Sequence, residues 1–385
     1  FCAIPFIPLS GAGGWISAYH EAVSCITTTG HSALDMQGAP MPASILIWRA
    51  MLHMLGTVAS ITIAASVLAA LNLGGPGIHK SRFFTIPEGN FFDTLPKIIR
   101  VSTVMTGTVA LVLASLMLII GVAPREAISG AISAVSTGLV DPNAAVTAPA
   151  MGWAHTSILS IGLVLGSLGL VVLDNLGKGQ FMKVVGDPET ITFFGSVAIV
   201  GSLAIFAGLP LLQASGWALS SISTSGMALS DPERFSRIPL VVILFPVLIG
   251  GSALSAAGGI KLARLIILSK RVFQEFSQLG YRGSVQTFTF RGRIQSEKTV
   301  MGVWVYLVGY IISCGMGIFV LSLFGMDFDD SIRGAIGSIS NAGHVINDIS
   351  DLHGIGQFCI ILGMILGRLE VIALIPVLTP NFWSR

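Results

Sequence analysis

Four short stretches of small hydroxyl and glycine residues carry the chemistry this sequence offers. The first ends Glu21-Ala22-Val23-Ser24-Cys25-Ile26-Thr27-Thr28-Thr29-Gly30. The others run Ala131-Ile132-Ser133-Ala134-Val135-Ser136-Thr137-Gly138, Ser220-Ser221-Ile222-Ser223-Thr224-Ser225-Gly226 and Gly337-Ser338-Ile339-Ser340-Asn341-Ala342-Gly343. No HExxH, GxSxG or paired-carboxylate arrangement accompanies them, so they offer no nucleophile–base pair or metal-ligand set. What they can present is oxygen. A cation leaving water needs oxygens that replace its hydration shell. Backbone carbonyls supply them where successive residues turn inward, which favours glycine for its freedom from Cβ restriction. The expected filter is therefore Thr28, Thr29 and Gly30; Ser136, Thr137 and Gly138; Thr224, Ser225 and Gly226; and Asn341, Ala342 and Gly343. The carbonyls of Thr28, Thr29, Ser136, Thr137, Thr224, Ser225, Asn341 and Ala342 are its expected ligands. Small-residue helix packing is the competing explanation for any one stretch, and recurrence four times over argues against it.

The elements that must hold these stretches are membrane spans. Of 385 residues, 53% are hydrophobic and 10% charged, against about 25% charged in soluble domains. A span needs ~20 mostly apolar residues because lipid offers the backbone no partners. The order span, short helix, polar turn, span recurs. In the first unit the leading span is nearly absent, 15–25 is the short helix, 26–30 the turn and 43–73 the return. The second reads 101–123, 125–135, 136–140 and 151–173; the third 190–209, 212–222, 223–227 and 238–268; the fourth 299–324, 328–339, 340–344 and 355–378. The fold class is thus an all-α polytopic membrane protein, with four pseudo-repeats around one pore. Its units are 1–73, 74–173, 174–268 and 269–385. The chain opens Phe1-Cys2-Ala3-Ile4-Pro5 with no signal-peptide pattern, and residues 1–14 read as the outer end of a helix followed by a Gly-rich turn, with earlier helices expected before it.

Charge sets an expected orientation. The links 74–100, 174–189 and 269–298 carry twelve Lys or Arg (Lys80, Arg82, Lys97, Arg100, Lys178, Lys183, Lys270, Arg271, Arg282, Arg291, Arg293 and Lys298), against four on the turn side: Arg125, Arg234, Arg237 and Arg333. By the positive-inside rule the links face the cytoplasm and the turns face outward. Asp327, Asp329, Asp330, Asp348 and Asp351 lie on the turn side, as helix-start and loop residues or as a device that concentrates cations at the mouth.

Two further features interrupt the spans. Gly250-Gly251-Ser252-Ala253-Leu254-Ser255-Ala256-Ala257-Gly258-Gly259-Ile260-Lys261 should break its helix in mid-membrane. It reads as a mobile loop obstructing the pore, the alternative being close packing of small residues. It lacks the ending of a phosphate loop. The expected gate comprises Gly250, Gly251, Ser252, Gly258, Gly259, Lys261 and Arg368. Arg368, in Gly367-Arg368-Leu369-Glu370, carries a charge that is expensive in lipid. It either projects into the pore as a barrier or holds the loop by its carbonyls; snorkelling is the bland alternative. His31 and His344 follow filter positions, and His53 reads as a hydrogen-bonded packing residue. Cys2, Cys25, Cys314 and Cys359 read as small apolar residues.

These residues resemble the bacterial Trk/Ktr potassium-uptake subunits, of one superfamily with the HKT transporters. The likeness rests on Glu21-Ala22-Val23-Ser24 leading to Thr27-Thr28-Thr29-Gly30, on Gly250–Lys261, on Gly367–Glu370 and on the ending Pro380-Asn381-Phe382-Trp383. It is nearest the Trk type and covers nearly the whole chain. The resemblance implies K+ as the transported ion, no covalently bound cofactor and no nucleic acid. It also implies a homodimer in the lipid bilayer of the cell inner (plasma) membrane, a cytoplasmic nucleotide-binding regulatory ring protein as partner, and gating by the intramembrane loop and Arg368. Glycine in all four filters implies potassium permeation. Departures are His53-Met54-Leu55-Gly56 where a Gly-Gly-x-Gly run is common, His344-Val345 after the fourth filter, and Ala256 in place of a usual threonine.

The activity expected is channel-like potassium uptake, driven by about 2.3 kcal/mol per charge per 100 mV of membrane potential. The alternative is a secondary transporter coupling potassium to H+ or Na+, which needs inverted repeats or a midplane carboxylate. The sequence has parallel repeats, and among the acids only Glu370 lies near a span's inner end.

Overall fold

A computed structural model describes residues 1–34, 41–70, 91–142, 152–227, 229, 238–280, 289–290, 293–294, 297–349 and 352–369. Glu370, the ending Pro380–Trp383, most of the link 74–90 and Arg82, Arg234, Arg237, Arg282, Arg291 and Asp351 lie outside them. The described residues are almost entirely helical. Apart from turns and loops, the exception is a two-residue antiparallel pair, Thr289–Phe290 with Arg293–Ile294.

Four helices among them are long and apolar enough to cross a membrane: α2 (Ala43–Ala70), α3 (Phe91–Ile119), α8 (Pro188–Phe206) and α12 (Glu297–Leu323). Two shorter apolar helices, α10 (Leu240–Ile249) and α14 (Gly354–Arg368), occupy return positions. The half-helices α1 (Gly14–Ile26), α4 (Pro124–Ser136), α9 (Leu211–Ile222) and α13 (Phe328–Ile339) lie where the sequence puts them.

The link from span to half-helix is built the same way three times. α3, α8 and α12 each end on a glycine in the left-handed region: Gly121 (φ 88°), Gly208 (φ 98°) and Gly325 (φ 91°). The next residue donates its N–H five residues back: Val122 to Met117, Leu209 to Ala204 and Met326 to Leu321. This is the Schellman closure, which satisfies orphan carbonyls at a helix end. A half-helix begins three residues after each glycine. One local device, repeated at one spacing, reverses the chain at the end of each leading span.

Three expectations are corrected. The second return span is not continuous: α5 (Gly152–Ser167) and α6 (Leu170–Gly177) meet at 114°. Ser167 O accepts the Ser252 N–H, and the Leu170 N–H donates to Leu254 O. The 250–259 loop thus supplies the bonds the break gives up, as irregular backbone within a membrane requires. Secondly, α3 begins at Phe91 rather than 101, so the polar link is shorter than expected. Thirdly, residues 4–9 form a 3₁₀ helix rather than the end of an α-helix, and the Gly-rich turn that follows is a 3₁₀ turn at Gly11–Gly13. α7 (Phe181–Val185) follows α6, and α11 (Leu262–Gly280) follows the broken third return. Cys25 and Cys314 are buried, Cys2 and Cys359 half-buried, and all four are free thiols.

Candidate functional site

Each half-helix ends in a tight turn, and hydrogen bonds fix how the four turns correspond. The Ser24 hydroxyl donates to His31 O, the Ser133 hydroxyl accepts from the Val140 N–H, and the Ser220 hydroxyl donates to Met227 O. Each bond spans seven residues. The N–H groups of Thr29, Gly138, Ser225 and Ala342 each reach back five residues, to Ser24, Ser133, Ser220 and Gly337. The residue before each is left-handed: Thr28 (φ 52°), Thr137 (φ 52°), Thr224 (φ 58°) and Asn341 (φ 52°).

This register corrects the second turn. Thr28, Thr137, Thr224 and Asn341 are equivalent, and so are Thr29, Gly138, Ser225 and Ala342. The place of Gly30, Gly226 and Gly343 is taken in the second turn by Leu139, not Gly138. Ser136 stands level with Thr27, so the second turn's counterpart of Thr29 is Gly138. Glycine does not recur at one position in all four turns. The signal was present: Ser133-Ala134-Val135 aligns with Ser24-Cys25-Ile26 without a gap, and matching the glycines instead shifted the turn by one.

The role assigned to glycine also changes. Gly30 (φ 78°) and Gly226 (φ 69°) are left-handed, but Gly138 and Gly343 are not. What excludes a side chain there is space. A Cβ at Gly138 would lie 2.2 Å from Thr28 O, and one at Gly343 2.4 Å from the His31 nitrogen. The residue held left-handed in every turn is instead a Thr or Asn, a conformation costly for a β-branched side chain.

The turns adjoin one another. Gly30 approaches Leu139, where a Cβ would lie 2.3 Å from the Leu139 nitrogen. The Gly343 N–H donates to Thr29 O at 3.0 Å. A Cβ at Gly226 would lie 2.2 Å from His344 Cβ. Turns two, one, four and three therefore follow one another in space, an order in which consecutive repeats are neighbours. The Thr29 carbonyl, an expected ligand, already accepts this inter-turn bond. The hydroxyls of Thr28, Thr137 and Ser225 and the side-chain oxygen of Asn341 are buried and have no protein hydrogen-bond partner. Buried polar oxygens are ordinarily paired, so unpaired ones in all four turns, three of them (Thr28, Thr137 and Asn341) at the equivalent left-handed position, mark a site for a polar or charged guest. The half-helices direct their C-terminal ends, which carry partial negative charge, at this group.

Sequence reasoning missed an ion pair beside the first two turns. Arg49 of α2 and Glu21 of α1 are fully buried and in direct contact. Arg49 Nε donates to Val140 O at 2.6 Å and its terminal nitrogen to Leu139 O at 3.1 Å. Glu21 Oε2 accepts from the Ser32 hydroxyl at 3.0 Å and the Ala33 N–H at 3.1 Å. One pair thus ties down the chain leaving turns one and two. An arginine inside a span needs an acid partner, and Glu21 was the acid available in the neighbouring half-helix. His53, one turn along α2, is buried with neither ring nitrogen hydrogen-bonded, contrary to the expectation of a hydrogen-bonded packing residue.

The 250–259 loop lies against turns three and four. The Gly258 N–H donates to Thr224 Oγ1 at 2.9 Å, and the Gly259 N–H to Ser340 O at 3.2 Å. A Cβ at Gly258 would lie 1.7 Å from Ser340 O. Arg368 donates to Ala256 O at 2.7 Å. Lys261 turns back onto the carbonyls of Ala257 and Ser255. Gly250 and Gly251 pack on the same loop's Gly258 and Ala257.

The family model for a cation transport protein, TrkH, matches residues 210–381. The Trk system potassium uptake protein TrkH of Salmonella typhimurium is 24% identical over all of this chain and 83% of its own length. TrkG of Escherichia coli is 27% identical over 96% of this chain and 79% of its own. The chain is thus similar, over nearly its whole length, to Trk potassium uptake proteins. The crystal structure of the potassium transporter TrkH from Vibrio parahaemolyticus shares the fold, with a TM-score of 0.82 at 22% identity over 96% of this chain and 79% of that one. These Trk relatives are transporters rather than enzymes, and this chain is a multi-pass membrane protein like them.

Proposed function

We propose that this chain takes up potassium across the plasma membrane by a channel-like route through the four turns. The observation that carries this reading is the recurrence, in four equivalent turns, of a left-handed Thr or Asn whose buried side-chain oxygen, in three of the four, lacks a protein partner. The named relatives are potassium uptake proteins, which supports potassium as the ion. On this reading the ring is asymmetric. Turns one, three and four offer Thr28–Gly30, Thr224–Gly226 and Asn341–Gly343, and turn two offers Thr137 and Gly138 ahead of Leu139. Loop 250–259 is the gate beneath turns three and four, with Arg368 as its clasp. The turns face outward, and the basic inner links receive a cytoplasmic nucleotide-binding ring, two copies of the chain forming the membrane dimer. K+ is cargo, and no resident cofactor is needed.

The test is cation flux into proteoliposomes, with K+, Rb+ and Na+ compared under clamped potential and no H+ or Na+ gradient. Uptake of K+ and Rb+ that follows the potential is the expected result. Flux that appears only with an added H+ or Na+ gradient would put a coupled transporter in its place.

A further inference from the structure

One buried carboxylate has no part in the reading above. Glu189 is fully buried at the second position of α8. Its backbone is fixed locally. Pro188 opens the helix, and the Asp187 carboxylate caps it by accepting the N–H groups of Glu189 at 3.1 Å and Thr190 at 3.4 Å. Its side chain reaches a different element. Oε2 accepts from the Ser252 hydroxyl and, at 3.0 Å, from the Ala253 N–H. A carboxylate taken out of water costs several kcal/mol unless donors meet it, and two of the donors here come from the loop.

The loop is thus held at two places by unlike groups. At its later half, Ala256, Gly258 and Gly259 engage Arg368, Thr224 and Ser340, next to the turns. At its earlier half, Ser252–Leu254 engage Glu189 and the break between α5 and α6. Glu189 begins the helix that follows the inner segment 178–187, where Phe181, Met182 and Val185 are exposed. We infer that Glu189 is a positioning residue that latches the earlier half of the loop closed and ties its position to the inner segment. Displacement of the start of α8 is then passed to Ser252 and Ala253 without passing through the turns. This rests on the reading of the loop as a gate.

The experiment is K+ and Na+ flux in proteoliposomes with Glu189→Ala, Glu189→Gln, Ser252→Ala and the double Glu189→Ala/Ser252→Ala, each first shown to be monodisperse. Glu189→Ala removes the charged acceptor of both bonds and should raise K+ flux at least about tenfold with the K+/Na+ ratio unchanged. Glu189→Gln keeps an acceptor for the Ala253 N–H and should fall between parent and Glu189→Ala. Ser252→Ala, a small change that leaves the carboxylate in place, should raise flux less, and the double variant no further than Glu189→Ala. An unaltered ratio separates a latch from a support of the turns, which would move it. Flux equal to the parent's in both Glu189→Gln and Ser252→Ala, or a shifted ion ratio, overturns the inference while leaving the uptake reading intact. A parent chain that passes no K+ overturns both.

Discussion

The two halves of the candidate filter are braced by opposite means. Turns one and two are tied by a buried ion pair, with Arg49 on the carbonyls of Leu139 and Val140 and Glu21 on Ser32 and Ala33. Turns three and four are tied by neutral bonds. The Tyr310 hydroxyl meets Ser340 Oγ at 2.6 Å, Asn341 Nδ2 donates to Met364 O at 2.9 Å, and the loop's Gly258 and Gly259 bond to Thr224 and Ser340. A buried charge pair resists being parted, since losing one partner strands the other. Neutral bonds worth about 1 kcal/mol each can be exchanged. One half is built to stay, and the other shares its bonds with the element proposed to move.

The largest effect should come from breaking the rigid half. Arg49→Ala strands Glu21 and frees two carbonyls, and should cost about 3–5 kcal/mol, read as loss of monodisperse protein or a lowered Tm. The double Arg49→Ala/Glu21→Gln should recover part of that loss, because no charge remains stranded. Recovery of nothing would mean the pair matters only through its carbonyl contacts. Next is Gly138→Ala. Its Cβ would meet Thr28 O at 2.2 Å, and overpacking of this kind costs about 1–3 kcal/mol. The K+/Na+ ratio should fall, and an unchanged ratio in folded protein would count against turn two lining the path.

Effects on the exchangeable half should be smaller and of another kind. Arg368→Ala removes the donor to Ala256 O and should raise flux several-fold, by roughly the worth of one charge-assisted bond, without moving the ion ratio. Reduced flux in folded protein would sink the clasp. Tyr310→Phe, which loses the bond to Ser340, should shift Tm by a few degrees, corresponding to about 1 kcal/mol. A larger shift would show the neutral half to be as stiff as the charged one.

Much of this was legible in the sequence. The half-helix 328–339 is found at its expected bounds, and α9 begins one residue early, because apolar spans, turn glycines and short helices are local signals. What was not legible depends on partners distant in sequence. The break at 167–170 is stabilised by a loop some eighty residues later, and composition alone read those residues as one span. Arg49, a charge inside the first return span, has its acid partner in Glu21 of a different helix. The second turn was misplaced for a different reason: glycine was taken as the marker of register, whereas the serine that closes each of the first three turns was the better one.

The four turns are written into a single chain, and this has a genetic consequence. In a pore assembled from four identical subunits, one codon change alters the whole ring at once. Here it alters a quarter. Leu139 can stand where the other repeats keep glycine, and its carbonyl can be given over to Arg49, without the same change being imposed on Gly30, Gly226 and Gly343. On the proposed uptake reading, ion preference can therefore drift by quarters, each step tested by selection while the remaining turns keep the lineage viable.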